Sequence, residues 1–538
     1  MTKRRRPVSN TGLVFGCALL LFAATATGFE ARVTDLSALR VLDGDLPYRD
    51  FWTMYAPGSF ATVALAFWIF GRELLVSNIL GIVTSATAVV LYYRLASPVC
   101  GALPAKVLTG LVALAFFGTG YHDGFTSYPP AFALILAAAH MTAIGCRAPG
   151  WRWGVAPGLL FGGAGLFKHD IAGYAVIAAV VGVVVTRYRA QRTPVWMPAL
   201  ALGAAAATVV SAVAGVLVAR GAGPDMWRDL VQFPLTEFLE VRPENFPLVP
   251  HFGPTLIDTA QGLVNWSTFN LPLLALIVGM PGLRRQWRAP DPQTRFVVAF
   301  AFQMFWLHWA AAHVQLNTNA ISLTAWGAVV AGVGLHVSGG APVRRRTIAA
   351  LFACVLWAAA FVARPAYDRW QESEAYEWVG TPGLAGIRVP HSEAVWMRAL
   401  AAAAAQGEDP RAPLLFLSNR NDVNVYAEST PYWLTARPPA TRHHELHPGI
   451  TDTEYFQRQM IADLERGRPP LVVREHRFPD RVLDTIKADF ARHVAVGATL
   501  IDRWVAERYE AGERFGRYEL MRRTSDSLPS SDTPTAPQ

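Results

Sequence analysis

"LRVLDGDLPYRDFWTMYAPGSF" (residues 39–60) sets three aspartates, two arginines and a Pro-Gly step among aromatic side chains, directly between two apolar segments. Segment 11–29 precedes it and is long enough to cross a bilayer, which takes about 17–25 apolar residues in a helix. Segment 58–71 follows it and is shorter than a span, a length typical of interfacial or re-entrant helices. The quoted stretch is therefore predicted to belong to the first loop that the chain forms at a membrane surface.

The composition places much of the remaining chain in the membrane as well. Of its 538 residues, 52% are hydrophobic and 16% are charged, whereas average proteins carry about 25% charged residues. We predict an α-helical polytopic membrane protein with eleven transmembrane helices and one juxtamembrane or re-entrant helix, 58–71, rather than a soluble enzyme. The predicted spans are 11–29, 73–95, 104–119, 129–146, 152–167, 170–187, 196–219, 267–283, 295–311, 317–338 and 345–363.

The distribution of basic residues predicts the orientation of these spans. The net charge of +8 comes largely from short Lys and Arg clusters at span ends, which argues against nucleic-acid binding. If 58–71 does not cross, the clusters fall on the cytoplasmic side, as the positive-inside rule requires. The N-terminus is then cytoplasmic and the C-terminus extracytoplasmic.

A cleaved signal peptide at 11–29 is the alternative to a first transmembrane helix, but the length of that run favours an uncleaved helix. The high Ala and Arg content suggests a bacterium, and hence its inner membrane.

Five polar segments fall on the outer face in this topology: 30–72, 120–130, 168–170, 220–266 and 313–319. Polar groups gathered at one membrane face predict a cavity there in which chemistry takes place.

The four cysteines lie in or beside apolar runs and form no CxxC pair. Neither a disulfide framework nor a zinc site is therefore predicted.

The composition changes after residue 363. Residues 1–363 are predicted to form the transmembrane domain, 364–523 an extracytoplasmic α/β domain, and 524–538 a disordered Ser/Pro/Thr-rich tail. Segments 412–418 and 469–475 are predicted parallel strands, 392–406 and 452–467 helices with Ser392 and Asp452 as N-caps, and 506–523 a hairpin. "TRHHELH" (441–447) has the residue types of a metal site, but its surroundings favour a solvated loop.

The first outer loop resembles a known family. Glu30, Gly44 fourteen residues later, and then "PYRDF" and "YAPGSF", resemble the first outer loop of the GT-C superfamily of polytopic glycosyltransferases. That superfamily includes protein O-mannosyltransferases, the lipid A aminoarabinose transferase and lipopolysaccharide sugar transferases. The resemblance implies a polyprenyl-phosphate sugar donor, an outer active site and a soluble C-terminal domain. The family has Asp-Glu where this chain has Glu30-Ala31.

Sugar transfer needs a base near the acceptor hydroxyl and cations near the leaving phosphate. Glu30 is the predicted base and Asp35 the rival carboxylate about one turn further on. Asp50 is predicted to bind sugar hydroxyls or to orient Arg49, with a structural cap or a surface ion pair as the alternative. Further substrate-binding candidates are Arg49, Tyr48, Tyr55, Asp123, Lys168, Arg242 and His313.

Each of these candidates has a plainer interpretation. The aromatic residues of the first loop are also typical of an interfacial aromatic belt, which is the favoured reading. Lys168 would bind the lipid phosphate or extend its ammonium to the membrane boundary. His313 would contact substrate or join two helices. No metal ligand is assigned, and a requirement for a divalent cation is left open.

The predicted function is transfer of a sugar from a polyprenyl-phosphate donor to a lipid, glycan or protein acceptor on the extracytoplasmic face. A secondary transporter or flippase is one alternative, although such proteins usually carry charged residues and helix breaks at mid-membrane in matching halves. A polymerase or ligase of surface polysaccharide is the other. The sugar, the acceptor and the role of the C-terminal domain do not follow from the sequence.

Overall fold

The structure, a computed structural model, describes most of the chain. The described residues are 8–25, 32–118, 124–190, 195–236, 291–311, 324–333, 376–406, 411–424, 429–447, 450–484 and 497–524, with isolated positions at 249, between 266 and 288, and at 322 and 409.

The described residues before 334 are mainly helical. The helices are α1 Val8–Thr25, α2 Val33–Leu42, α3 Gly58–Phe70, α4 Leu74–Cys100, α5 Ala102–Gly118, α6 Tyr128–Gly145, α7 Val155–Gly165, α8 His169–Arg189, α9 Met197–Ala219, α10 Gly223–Trp227, α11 Phe233–Leu235, α12 Pro292–Ala311 and α13 Thr324–Val333. A 3-10 turn, Arg152–Gly154, precedes α7, and a π-helical turn, Arg228–Gln232, precedes α11. The predicted spans between 11 and 219 each coincide with one helix.

By length and composition, α4, α6, α8 and α9 can each cross a membrane. The prediction of a multi-pass helical membrane protein is confirmed at this level. The number of eleven spans stays a prediction, since 267–283 and 345–363 fall largely outside the described residues.

Helix α3 has 13 residues and is about 20 Å long, too short for a hydrocarbon core of about 30 Å. Its last turn exposes Trp68, Ile69 and Phe70.

Small residues set the spacing of the helices. A Cβ on Gly158 of α7 would lie 2.4 Å from the carbonyl oxygen of Leu202 in α9, and one on Gly162 would lie 2.6 Å from that of Ala206. These glycines are four residues apart and therefore share one face of α7. Close backbone contact through small residues is the usual way in which membrane helices associate.

The described residues after 375 form the predicted α/β unit. They comprise β1 Tyr376–Trp378, β2 Arg388–Pro390, α14 His391–Ala404, β3 Leu414–Ser418, α15 Thr430–Thr435, α16 Glu454–Gly467, β4 Leu471–Glu475, α17 Leu500–Ala506, β5 Tyr509–Phe515 and β6 Tyr518–Arg523. Four strands form a sheet in the order β3-β4-β6-β5, with β3 and β4 parallel. The predicted parallel pair and terminal hairpin are confirmed.

Both predicted N-caps are wrong. Helix α14 begins at His391, with Pro390 in the cap position, so Ser392 lies inside it. Helix α16 has Thr453 in the cap position. The Asp452 side chain is instead buried beside the backbone N–H of Asn424, at 3.5 Å. The Asp452 carboxylate, which the local sequence pattern assigned to the N-cap of α16, thus makes a tertiary contact instead.

The α/β unit rests on the first helices of the membrane part. Phe67 of α3 and Trp433 of α15 pack with ring centroids 5.6 Å apart. The N–H of Leu74, at the start of α4, donates to the carbonyl of Gly383 over 2.8 Å. Buried side chains of α2, α3 and the sheet belong to one apolar cluster. The predicted domain boundary at 363 lies outside the described residues and stays a prediction.

Candidate active site

Five segments of the chain meet beside the start of α2, at the end of the helix bundle where α4 begins. We call this place the junction; it comprises residues 32–37, 57–58, 77–81, 124–127 and 166–168. At its centre the Ser77 hydroxyl donates to Asp35 Oδ1 over 2.5 Å, and the Phe125 N–H donates to the Ser77 oxygen over 3.3 Å. The first loop, α4 and the turn before α6 are thereby joined through one serine.

Glycine makes the close approach at the junction possible. Gly124 has a left-handed backbone conformation, with φ at +104°, which residues other than glycine rarely adopt. A Cβ there would lie 2.6 Å from Nε of Arg32, so the arginine side chain crosses directly over this turn. Gly81 of α4 lies against the same turn, since its Cβ would be 2.3 Å from the Gly124 carbonyl oxygen. The sequence therefore brings a cation of the first loop onto the turn that follows Asp123.

The turn between α7 and α8 completes the junction. The Gly58 N–H donates to the Leu166 carbonyl over 2.6 Å, and the Phe125 and Phe167 rings pack with centroids 6.3 Å apart. Lys168 follows immediately, with 16% of its side chain exposed and its ammonium 3.2 Å from Asp170. Three of the polar segments predicted to converge are thus in contact: the first loop, the turn at 124–127 and the turn at 166–168.

Asp35 is fully buried and both of its oxygens are engaged. Oδ1 accepts a hydrogen bond from the Ser77 hydroxyl. Oδ2 accepts one from the backbone N–H of Arg32 over 2.9 Å, and this bond caps the first turn of α2. Burial raises the pKa of Asp35 to about 6, against the lowering effect of these hydrogen bonds and of the Arg32 charge. In this structure the carboxylate fixes α2 against α4 and offers no free oxygen to a ligand.

The burial of Asp35 predicts a pH-dependent stability. Its folded pKa, about 6, lies above the ordinary value of 3.8, so folding favours the protonated form. The resulting stabilisation is complete below about pH 4 and is lost as the pH rises through 6. About 1.4 kcal/mol per pKa unit gives a difference of about 3 kcal/mol. Asp35→Asn should lack this component when unfolding in detergent is followed between about pH 4 and 8.

The control for this measurement is Asp43→Asn. The Asp43 carboxylate, at the other end of α2, is more than half exposed. For each variant, the pH profile of unfolding stability is subtracted from that of the wild type. The difference between the two results isolates the contribution of the buried Asp35 carboxyl group. Equal slopes for Asp35→Asn and wild type would contradict the buried-charge assignment.

The aromatic side chains of the first loop are in the protein interior. Tyr48, Phe51 and Trp52 are each 0% exposed, so the favoured interpretation as an interfacial aromatic belt is wrong for these three. Tyr48, a substrate-binding candidate, donates its hydroxyl to the Tyr55 carbonyl over 2.9 Å and has a left-handed φ of +70°. Such a backbone is strained for an aromatic residue and persists only where the surroundings enforce it. Its ring is enclosed and does not face a ligand here.

Residues 441–447, the segment predicted to be a solvated loop, cover Phe51 and Trp52, whose rings lie 5.6 Å from His444 and 6.1 Å from His443. That prediction is wrong: His443, His444 and Glu445 are all at most 2% exposed. The Trp52 N–H donates to the Arg442 carbonyl over 3.0 Å, and the Thr53 hydroxyl donates to Glu445 Oε1 over 3.2 Å. We call residues 441–447 the docking segment, since it joins the α/β unit to the first loop.

Two histidines of the docking segment, His443 and His444, are buried as neutral groups. Burial lowers the pKa of His443 to about 3 and that of His444 well below its usual range. Arg40 donates to Nδ1 of His444 at 3.3 Å, so Nε2 carries the proton and faces the Ser37 oxygen at 3.2 Å. Within the described residues, no group of three or more His, Cys, Asp or Glu side chains has the arrangement of a metal site.

Asp50 and Arg49 form the surface ion pair that was the plainer interpretation of both. Arg49 Nη2 is 2.7 Å from Asp50 Oδ2, with side chains 49% and 29% exposed. The Arg49 hydrogen bond lowers the pKa of Asp50 most, and the Leu46 N–H, which donates to Asp50 over 2.7 Å, lowers it further. Arg49 also donates to the Arg220 carbonyl over 3.2 Å, beyond the end of α9. Both residues hold the first loop in shape.

The beginning of the fourth predicted polar segment, 220–266, also contacts the first loop. Phe233 packs edge-to-face on Trp52 with centroids 5.7 Å apart. Tyr55, the remaining aromatic candidate, is half-buried, with its ring 6.5 Å from that of His447. Four candidates, Glu30, Asp123, Arg242 and His313, lie outside the described residues, as does 313–319.

The sequence analysis missed Arg32 and Ser77 as members of the junction. Arg32 had a usable signal, since a cation two residues after the predicted base suits a site in which a phosphate is the leaving group. Ser77 had none: it lies among apolar residues of a predicted span, and only the packing of α2 on α4 gives it a role.

The fold is similar to known membrane proteins, although no protein-family model and no curated protein matches the sequence. A crystal structure of ArnT from Cupriavidus metallidurans bound to undecaprenyl phosphate matches over 97% of this chain and 99% of that chain, with TM-score 0.53 and 15% identity. The apo structure of ArnT from the same organism matches over 97% and 99%, with TM-score 0.54 and 14% identity. At this identity the likeness establishes the fold. The fold that the resemblance of the first loop implies is confirmed.

Proposed function

We propose that the protein is a membrane glycosyltransferase that moves a sugar from a polyprenyl-phosphate donor to an acceptor on the extracytoplasmic face. The observation that carries the proposal is the junction, where Arg32 of the first loop lies on the turn at Gly124, and Phe125 of that turn packs on Phe167, which precedes Lys168. The fold supports it, since ArnT has this fold and was crystallised with undecaprenyl phosphate.

In the proposed reaction an acceptor hydroxyl attacks the anomeric carbon of the donor. The new bond joins the acceptor oxygen to that carbon, and the bond from the carbon to the phosphate oxygen breaks, with its electron pair leaving on the phosphate. The acceptor proton goes to a carboxylate, which we assign to Glu30. Glu30 precedes Arg32 by two residues, so their Cα atoms are at most about 7 Å apart and its side chain can reach the junction.

Cations at the junction would stabilise the leaving phosphate. Lys168 is mostly enclosed, with one carboxylate, Asp170, at 3.2 Å, so its attraction for a phosphate is weakly screened by water. Arg32 offers planar donors suited to phosphate oxygens. Arg242 is kept as a third candidate. Asp123, immediately before the turn that Arg32 covers, and His313 are proposed to contact the sugar.

The other candidate residues would act by positioning the first loop and α2. Asp35 has both oxygens engaged, so we assign it the anchoring of α2 rather than the base. Asp50, Arg49, Tyr48 and Tyr55 would keep the first loop in the shape that presents its beginning to the substrate. A bacterial inner membrane, with the N-terminus cytoplasmic and the α/β unit outside, belongs to the same proposal.

The experiment is transfer of label from radiolabelled polyprenyl-phosphate sugars in membranes containing the protein. We expect label in a new product that has gained one sugar, which is absent from membranes lacking the protein. No transfer from any donor, with protein shown to be folded, would overturn the proposal in favour of a transporter. A product that gains many sugars would replace it with a polymerase.

A further inference from the structure

A concave site borders the part of α2 that follows Asp35. It is a cavity of about 640 Å³ between α2, the turn before α4 and the α/β unit. Helix α2 contributes Leu36, Leu39, Arg40 and Asp43, which recur at helical spacing and so form one face. The volume is within the range of small-molecule sites, about 300–1,000 Å³.

The lining of the cavity has a surplus of positive charge. Four arginines and one aspartate line it: Arg40, Arg72, Arg411, Arg437 and Asp43. Two of the arginines have structural partners. Arg40 Nε is 2.6 Å from Asp45, and Arg437 is buried and donates to the carbonyls of Ala404 and Ala412 over 3.0 Å each. The side chains of these two arginines therefore shape the wall of the cavity, and we do not count them as binding groups for a ligand.

The other two arginines are available to a ligand. Arg72 is 53% exposed and pairs with Asp43 over 2.8 Å, an exposed contact that an incoming anion can replace. Arg411 is exposed, and its guanidinium has no hydrogen-bonding or ionic partner among the residues that the structure describes. Guanidinium groups bind phosphate and carboxylate through paired N–H donors.

The remaining lining is apolar and suits a ring more than a bare ion. The floor includes Tyr432 and Trp433, both at most 4% exposed, and Pro438 and Pro439 line it as well. Flat apolar surfaces beside a few charged groups are the usual composition of a ligand site that fixes orientation. A saccharide that carries a negative charge combines both requirements.

We propose that this cavity binds the anionic group, phosphate or carboxylate, of an acidic saccharide in the acceptor. The inference rests on the proposed function, since α2 contributes Asp35 to the junction and the next residue, Leu36, to the lining of the cavity. An acceptor held by its acidic sugar in the cavity could then present a hydroxyl one or two sugars away to the junction.

Binding is measured directly with the full-length protein in detergent, by tryptophan fluorescence or calorimetry. The probes are glucose 1-phosphate, glucuronic acid, inorganic phosphate and the uncharged methyl glucoside. We expect a charged sugar to bind, methyl glucoside not to bind, and salt at about 0.5 M to weaken the binding. Tight binding of glucose 1-phosphate identifies a phosphosugar, and tight binding of glucuronic acid identifies a uronate.

Variants test the named groups. Arg411→Gln should weaken binding of the charged sugar about five-fold, and Asp43→Asn should strengthen it about three-fold because Arg72 loses its competitor. Arg514→Gln is the matched control, since Arg514 is exposed on β5, far from the lining in sequence, and should leave binding unchanged.

Two results would overturn the inference. One is absence of binding by every charged sugar; the other is equal binding by inorganic phosphate and the sugars, which would remove the saccharide from the proposal. If sugar transfer persists in either case, the proposed function stands. If charged sugars bind as expected and no donor supports transfer, the proposed function fails and the cavity remains a saccharide site.

Discussion

Sugar transfer by the Glu30→Gln variant should fall by about two to four orders of magnitude, the contribution of a well-placed general base. Glutamine keeps the size and much of the hydrogen bonding of glutamate, but its amide cannot take the proton of the acceptor hydroxyl. The loss should therefore appear in the turnover rate much more than in the apparent affinity for the donor. Initial rates over a range of donor concentrations, in membranes with matched protein content, separate the two effects.

Glu73→Gln is the matched control for Glu30→Gln. It makes the same change of charge between α3 and α4, where Glu73 Oε2 accepts from the Ala385 N–H over 3.2 Å, a bond that glutamine can retain. Its transfer should equal that of the wild type. Glu30→Asp should keep part of the activity, since the acid remains but is one methylene shorter.

Asp35→Asn distinguishes the two carboxylates. As an anchoring residue, Asp35 should affect transfer mainly through stability, and its loss should be partly rescued by lower temperature. If Glu30→Gln is active and Asp35→Asn is inactive while folded, the roles are reversed and the closed arrangement around Ser77 must open during the reaction. Either result leaves the location of the site at the junction.

Local patterns in the sequence predicted the elements well. Hydrophobic runs of span length became α4, α6, α8 and α9, because a helix that crosses a bilayer must carry its apolar residues consecutively. The parallel strands β3 and β4 were found for a similar reason, since buried strands are short and continuously apolar. These properties depend on neighbours along the chain.

The contacts that shape the candidate site depend on residues far apart in the chain. Ser37 meets His444 across 407 positions, and Thr53 meets Glu445 across 392. A loop rich in His, Arg and Pro has the composition of a solvated segment, and only a partner surface makes its burial favourable. The failure at residues 441–447 and the misassigned cap at Asp452 have this common cause: tertiary partners replaced water or local backbone.

Replacing Trp52 by alanine should cost about 3–5 kcal/mol of stability, as expected for a large buried aromatic side chain. The ring is fully enclosed and packs on Phe233, Phe456 and His443, at centroid distances of 5.7, 5.6 and 6.1 Å. It therefore joins three parts of the chain: the first loop, the segment after α9 and the α/β unit.

The measurement is denaturant unfolding of the purified protein in detergent, with protease sensitivity near residues 441–447 as a local readout. Trp227→Ala is the control, because Trp227 is 63% exposed and its removal should change stability by at most about 0.5 kcal/mol. Trp52→Phe should recover part of the loss by keeping an apolar ring.

If the docking segment positions the first loop, Trp52→Ala should also lower transfer at temperatures where the protein stays folded, and Trp52→Phe should restore both properties together. Unchanged unfolding in Trp52→Ala would contradict the enclosed position of the ring. Reduced stability with full transfer would mean that the α/β unit stabilises the first loop without setting the geometry of the junction. The two readouts thus separate the architectural contribution of residues 441–447 from any contribution to catalysis.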